Sequence, residues 1–552
     1  MSGRREKVAR RRAAAGTAAA EQGASRLFAL APVAELAADE RARLFRRNAI
    51  YVIVGAVLFA AIYALLSWLK YRAYMDARFD LGNMVQAVYN TAHGHVLEIT
   101  TGELRPRQMS RLGAHVDPIL VLFALPWLVW PSPVMLLVLQ AVIVATGAWP
   151  AYRLGTRVTR DPRAGALLAG AYLLYPALGF LVLNEFHPVA LATPLLLWAF
   201  VYLEEGRWVW ALPFLVLAAA CKETVPLVIG TMGVYFAIRK RSWRPLILTA
   251  AAAAYFALAV WVIIPHYNGE QSAFIARYGD YGQGAGEVVK TALTHPGQTA
   301  ADLAALPNLD YWLKLLWPLG FASLFSPLTA LIAAPELLLN ALSATTYQRR
   351  IEFHYTALEI PFLWAAAVLG VMRLWRWLGG GFRRAEKAMS GQRVSRETLA
   401  LLVLLAALAG NYVMGPLPFS LPGAAYDGND YARTAHDAAL DEAVRMIPAA
   451  ARVSANNNAG AQLAARRVSY VFPYFAGADW VLVDEKHPFF YDREDGQMHQ
   501  LALGKLVLDN RFLSVYAKDG VYVFKRVAPD PGATQGGGAP PVTPKPGVSP
   551  TP

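Results

Sequence analysis

The sequence predicts a polytopic α-helical membrane protein of about eleven transmembrane helices, with a small α/β domain outside the membrane near its C-terminal end. Three observations predict it. The 552 residues are 56% hydrophobic and only 16% charged, beyond the usual soluble range. Several apolar runs approach the ~20 residues that span a bilayer. The basic residues, which carry the net charge of +13, gather at the ends of those runs, where they orient helices and give no reason to expect a nucleic-acid partner. A single cysteine, Cys221, excludes an intrachain disulfide framework and a Cys-rich metal site.

Residues 1–48 begin MSGRREKVARRR and lack an apolar core after the arginines, so they read as a disordered basic arm on the cytoplasmic side. Residues 49–415 hold the spans. The first, Ala49 to Leu69, follows Arg41, Arg43, Arg46 and Arg47 and runs outward. An outer loop over 70–133 ends in PILVLFALPWLVWP, whose apolar part is about 13 residues, or roughly 20 Å as helix, too short to cross a ~30 Å core. Laid flat, it lets the span Val134 to Tyr152 deliver Arg153, Arg157, Arg160 and Arg163 inside.

The remaining spans follow by the same rule. Ala164 to Leu183 goes out and Val189 to Leu203 returns. Val209 to Ala220 and Val225 to Ile238 form a pair whose tip is Cys221-Lys222-Glu223-Thr224, ending inside at Arg239-Lys240-Arg241. Pro245 to Pro265 goes out to a polar loop, 266–310. Tyr311 to Phe325 and Pro327 to Leu342 form a short pair, and Tyr355 to Met372 returns to a basic loop, 373–396. Thr398 to Met414 then exports the C-terminal part. This places the protein in the plasma (inner) membrane, N-terminus cytoplasmic.

Residues 416–527 change character. A helical YARTAHDAALDEAVRMIP precedes the strand-like ARVSA and a helical AGAQLAARR. SYVF, WVLVDE and a hairpin FLSVYAKDGVYVFKRV follow, with Lys518-Asp519-Gly520 as the turn. No phosphate loop, metal spacing or nucleophile motif accompanies them, which favours a docking or acceptor-guiding role. The Pro/Gly-rich tail 528–552 cannot bury a core.

The topology, drawn from arginines and lengths alone, puts the unusual polar residues on one side. Asp76 and Asp80, His115 and Asp117, Asn184, Glu185 and His187, Lys222 and Glu223, and Arg349, Arg350 and His354 all fall outside. Ionisable groups beside apolar spans usually line a cavity or pair with one another. Each also has a bland reading. Asp80 suits a helix N-cap, and His115-Val116-Asp117-Pro118 a capped helix start. Lys222-Glu223 suits an ion pair, Arg349 and Arg350 interfacial anchors, and Asn184 to Pro188 a capped inter-helix turn.

On these residues the chain resembles the GT-C glycosyltransferases, such as the protein O-mannosyltransferases and the aminoarabinose transferase of lipid A. Phe79-Asp80 stands at the acidic motif of the first outer loop. His115-Val116-Asp117-Pro118 stands at a His-Pro-Pro element, whose second proline is not reproduced because Asp117 lies between. Leu154-Gly155-Thr156-Arg157 resembles the basic turn. Cys221-Lys222-Glu223-Thr224 resembles a Lys-Pro-Thr element with glutamate in place of proline. Arg350 to Pro361 resembles the Arg-Tyr…Pro element. More closely, FDLGNM…GAHVDPIL…NEFHPVA…KE…FHYTA resembles a family of predicted membrane proteins of uncharacterised function over roughly residues 50–375.

The resemblance implies transfer of a sugar from a polyprenyl-phosphate donor to an acceptor at the outer membrane face. It implies Asp80 as the base. Lys222 with Arg349 or Arg350 would hold the donor phosphate, and His354 and His115 would complete that side. Asp117, Asn184, Glu185, His187 and Glu223 fall to the acceptor side or to a divalent cation. Glu185 and His187 at i, i+2 do not share a helix face, so a joint role needs extended backbone, which Pro188 favours. A transporter or flippase of an anionic lipid-linked substrate would use the same cations without chemistry, and a non-catalytic scaffold would need neither.

Overall fold

A computed structural model describes residues 38–102, 106–270, 273–385, 395–487, 492 and 496–528. Most of the expected arm (1–37), the centre of the expected basic loop (386–394) and the tail from 529 lie outside the described residues. The first helix is Ala38–Arg72, so the last part of the expected arm is helical. Contacts divide the chain at Arg46/Arg47, and everything below concerns the part from Arg47 onward.

Among the described residues four helices are long and apolar enough to cross a membrane: Asp39–Arg72, Pro133–Thr159, Leu246–Asn268 and Arg396–Met414. Pro162–Leu173 and Pro176–Leu183, bent by 45°, would together make a fifth. The span expected at Tyr355 to Met372 is a 3-10 turn, His354–Leu358, followed by a 26-residue helix, Ile360–Ala385, and the other expected spans are shorter or broken. Pro188–Glu204 has 17 residues and Trp208–Ala219 has 12. The stretch expected as Tyr311 to Phe325 is a helix, Leu306–Leu316, followed by two 3-10 turns. Pro318 and the left-handed pair Gly320 and Phe321 stop it. Pro327–Ala330 and Ala334–Ala341 are likewise separated by a 3-10 turn.

Prolines punctuate the bundle at helix starts, where their missing N–H leaves no bond unmade: Pro133, Pro162, Pro176 and Pro188 each occupy a first turn. Helices Ala148–Thr159 and Pro162–Leu173 pack tightly because a Cβ on Gly155 would lie 3.0 Å from Gly165 Cα. Outward residues are apolar: Val57, Val129 and Val209 are 62%, 87% and 76% exposed. Apolar surface on this scale is what a lipid-facing helix presents.

A two-stranded ribbon, β1 (Glu98–Thr100) and β2 (Gln108–Ser110), lies in the first loop. The C-terminal sheet has strands β3 (Val453–Ala455), β4 (Ser469–Val471), β5 (Trp480–Asp484), β6 (Phe512–Lys518) and β7 (Val521–Arg526). Their order is β4-β3-β5-β7-β6; the first three run parallel, and β7 joins β5 and β6 antiparallel. The hairpin turn expected at Lys518-Asp519-Gly520 is present, with positive φ at Asp519 and Gly520. Helices Ala435–Met446, opened by a Thr434/Asp437 capping box, and Asn457–Gln462 stand at the expected places.

The sheet is joined to the loop after the first helix. Tyr74 lies in the core cluster formed by Ala439, Leu440, Ala443 and Leu482, and its hydroxyl donates to Asp441 at 2.9 Å. Gln462 Nε2 donates to Tyr71 O at 2.6 Å. Residues 71–82 are therefore held by the C-terminal sheet and lead directly into the candidate site.

Candidate functional site

The site starts from a single π-turn. Gly82 N donates to Ala77 O at 3.0 Å, widening the backbone over Arg78–Gly82 before helix Asn83–Ala92 begins. Such turns are frequent at functional positions. Asp80 sits within it. Its side chain caps no helix, contrary to the bland reading: the cap residue of the next helix is Gly82, with no side-chain cap bond. The partner of the Asp80 carboxylate is His187, whose Nε2 lies 3.6 Å from Oδ1.

Glu185 holds this turn from behind. Its Oε1 accepts Ala77 N at 3.1 Å and its Oε2 accepts Leu81 N at 2.7 Å, on either side of Asp80. Burial, then Asp80 and Asp76, push its carboxyl well above the usual range, and the Leu81 N–H pulls the other way. Glu185 itself adopts a left-handed backbone (φ 56), an uncommon state for a residue with a Cβ. Gln140 fixes it there: Nε2 donates to Val182 O and Glu185 O, and Oε1 accepts His187 N at 2.8 Å.

With both oxygens engaged, Glu185 is a clamp and does not line the cavity. Glu185→Gln is expected to destabilise the turn by about 1–3 kcal/mol, because the amide NH2 faces a main-chain N–H that then has no acceptor. Hydrogen exchange at residues 77–82 checks it; wild-type protection would refute the clamp.

His187 and His354 stack, ring centroids 3.7 Å apart and planes 18° from parallel. His354 N and Nδ1 both donate to Asn184 Oδ1, at 3.0 and 2.9 Å. His187 Nδ1 donates to Asn184 O at 2.7 Å. Oxygen acceptors at both Nδ1 atoms put a proton on each of them, so in the neutral form of either ring it is Nε2 that carries the lone pair. Burial, then His187 and Lys222, hold His354 well below the usual imidazole range, so it is neutral.

A second clamp mirrors the first. Glu223 accepts from His115 Nδ1 at 2.9 Å and from Val116 N at 3.0 Å. Burial alone would raise Glu223, but His115 and then Lys222 outweigh it and bring it down to about 2. The expected Lys222–Glu223 ion pair is thus replaced by a Glu223–His115 pair. Asp117 caps no helix either; it takes Arg111 Nε and Nη2 at 2.8 and 2.7 Å. Ile119 N donates to Ala220 O at 3.0 Å, stitching the 118–123 segment to the Lys222 turn.

These loops enclose a cavity of about 250 Å3. Of the candidates read from sequence, Asp80, His115, Asp117, Asn184, His187, Lys222 and His354 line it. Lys222 makes no hydrogen bond or ion pair among the described residues; its ammonium lies 5.6 Å from the centre of the Tyr355 ring. Glu185 and Glu223 stand behind the lining. Arg349 and Arg350 are not part of it, and Arg350 points away, 59% exposed and 3.4 Å from Glu352. Residues 346–349 turn as a 3-10 element before His354 enters the site.

Arg277, given no role from sequence, is an arginine that does reach the cavity. It lines the cavity with its guanidinium near the Tyr347 and Tyr355 rings, and its Nη1 is 3.4 Å from the Tyr355 hydroxyl. Its signal in the sequence is faint, one arginine among aromatics in FIARYGDY. Arg111, Tyr347, Tyr355, Phe79 and Phe353 are among the other lining residues assigned no role from sequence. As to a divalent cation, Glu185, Glu223 and His115 Nδ1 are spent on internal bonds, and Asp117 spends Oδ2 on Arg111. No group of three His, Cys, Asp or Glu among the described residues converges on a metal position.

A family model described as "Predicted membrane protein (DUF2079)" matches residues 72–523, a stretch that contains the π-turn, the cavity and the sheet. No curated protein matches the chain.

Proposed function

This chain belongs to the DUF2079 family of predicted membrane proteins, and we propose that it is a GT-C-type glycosyltransferase. It moves a sugar from a polyprenyl-phosphate donor to an acceptor hydroxyl at the outer face of the plasma membrane. In this reading about eleven helices cross the bilayer and the C-terminal sheet lies outside. The observation that carries it is convergence: one cavity lined by a carboxylate and an ammonium that make no hydrogen bond among the described residues, a guanidinium and the rings of Phe79, Tyr347, Phe353 and Tyr355.

Each part has a task in such a transfer. Asp80 takes the acceptor proton as the acceptor oxygen forms its bond to the anomeric carbon. The bond from that carbon to the phosphate oxygen breaks, and its electron pair leaves with the lipid phosphate. Lys222 and Arg277 meet the charge that grows there. The aromatic rim offers faces to the sugar, and the apolar helices admit the lipid chain. Arg111 is already neutralised by Asp117, so it adds little to phosphate binding.

The test is turnover by the full chain in nanodiscs, offered decaprenyl phosphate carrying mannose, glucose or arabinofuranose. Release of decaprenyl phosphate with formation of a new glycoside is the expected result. A flippase would leave the sugar–phosphate bond intact, so translocation without release from any of the three overturns the reading. Lys222→Met is expected to weaken binding of decaprenyl phosphate about tenfold or more, the scale of a lost charge-assisted contact. An unchanged Kd would remove Lys222 from the donor side.

A further inference from the structure

The transfer reading leaves one buried group without a task, the Nε2 atom of His187. It has no hydrogen-bond partner among the described residues, in a side chain that is 6% exposed. The other ring nitrogen is committed to Asn184 O, and the main-chain N–H of the same residue to Gln140. Both faces of the orientation are therefore fixed by neighbours. What the fixed ring presents to the cavity is a lone pair, 3.6 Å from the carboxylate assigned as base. That separation is just beyond a hydrogen bond, and catalytic contacts of this kind tighten when substrate closes the site.

We propose that His187 is the second member of a catalytic dyad with Asp80 and receives at Nε2 the proton that Asp80 takes from the acceptor. The inference rests on the transfer reading. The step balances as follows. The acceptor O–H bond breaks and its proton passes to the Asp80 carboxylate. From there it moves to His187 Nε2, which becomes an imidazolium beside a restored carboxylate. The lipid phosphate departs with the electrons of the broken glycosyl bond, and the imidazolium proton is lost to the leaving phosphate or to water before the next turnover.

Of the two stacked rings, the surroundings suit a transient cation at His187 and not at His354. Asp80, from the π-turn, is the anion that faces it. The ring stacked on it, His354, is neutral, so the pair carries one charge and not two. Lys222, Arg277 and His115 line the same cavity on the side that meets the phosphate. They oppose a long-lived imidazolium, which favours passing the proton on. Asn184 ties the two histidines together, with its side-chain oxygen on His354 and its main-chain oxygen on His187.

Two measurements on the full chain in nanodiscs test the dyad. The first needs no substrate: 15N-histidine NMR reads which ring nitrogen of His187 carries the proton. A proton on Nδ1 with Nε2 bare is expected, and a proton on Nε2 overturns the relay. The second uses whichever of the three decaprenyl-phosphate sugars the wild type turns over. His187→Ala is expected to lower kcat about 100-fold, and added imidazole to restore about tenfold of it. Pyrazole, similar in shape but not basic, is expected to restore nothing; a packing role would respond to both or to neither. Full activity in His187→Ala, or loss that imidazole does not reverse, overturns the relay alone. Absence of transfer by the wild type overturns the function and the relay with it.

Discussion

Arg78→Met is expected to loosen the junction between the π-turn and the C-terminal sheet and to lower stability by about 3–5 kcal/mol. Arg78 is 1% exposed and has no carboxylate among its partners. Its Nε donates to Ser469 Oγ at 3.1 Å and its Nη1 to Asn83 Oδ1 at 2.7 Å. Its Nη2 reaches Gln86 Oε1, Thr100 O and Ser469 O at 2.7, 3.2 and 2.9 Å. Burial and the Arg111 charge bring it down to about 10, still charged at neutral pH.

A methionine fills the volume but leaves these acceptors dry and unmatched, at roughly 1–3 kcal/mol for each that finds no water. Lysine keeps the charge without the planar fork and is expected to recover only part of the loss. Glycines at 82 and 460 make the room, since a Cβ at either would come within 2.8 or 2.6 Å of the Arg78 side chain. Thermal unfolding and hydrogen exchange at residues 77–82 and 469–471 measure the effect. A variant with the wild-type midpoint and protection in both segments would show that the sheet is held by other contacts.

Asp80→Asn is expected to abolish transfer, by about 100- to 10,000-fold in kcat, while leaving stability and decaprenyl phosphate binding nearly unchanged. The separation of these effects follows from geometry. The carboxylate is 27% exposed toward the cavity and holds no hydrogen bond whose loss would unsettle the fold. An amide of the same shape fills its place without accepting a proton. Retained turnover in this variant would remove Asp80 as the base, whatever the rate of any other variant.

Much of the site was legible because apolar spans make polar exceptions conspicuous. Asp80, His115, Asn184, His187, Lys222 and His354 each interrupt or flank hydrocarbon, and topology alone gathers them. The hairpin around Asp519-Gly520 was legible for a local reason, the turn chemistry. What could not be read was which polar group faces the cavity and which stands behind it. Glu185 bonds to residues 104 and 108 positions away, and Glu223 to residues 107 and 108 positions away. No sequence pattern announces a clamp at that distance. Arg349 and Arg350 drew the reading because a pair of arginines is a stronger sequence signal than the single Arg277, which lines the cavity where they do not. The spans were legible only in part, for the same kind of reason. Hydropathy counts apolar residues but does not register that proline and left-handed turns cut the run between Leu306 and Ala341 into pieces.

Those short pieces have a consequence for the lipid around them. Pro188–Glu204 begins at His187 and has 17 residues, about 26 Å of helix, against a hydrocarbon layer of about 30 Å. Its neighbour Trp208–Ala219, with 12, reaches about 18 Å. A bilayer meets such hydrophobic mismatch by thinning, at a fraction of a kcal/mol per Å. Thinning lowers the headgroup plane toward the short helices, so a lipid phosphate beside Lys222 descends less far to reach it. On the transfer reading, membrane thickness then becomes a variable of turnover, which is expected to be fastest in vesicles of short-chain lipid.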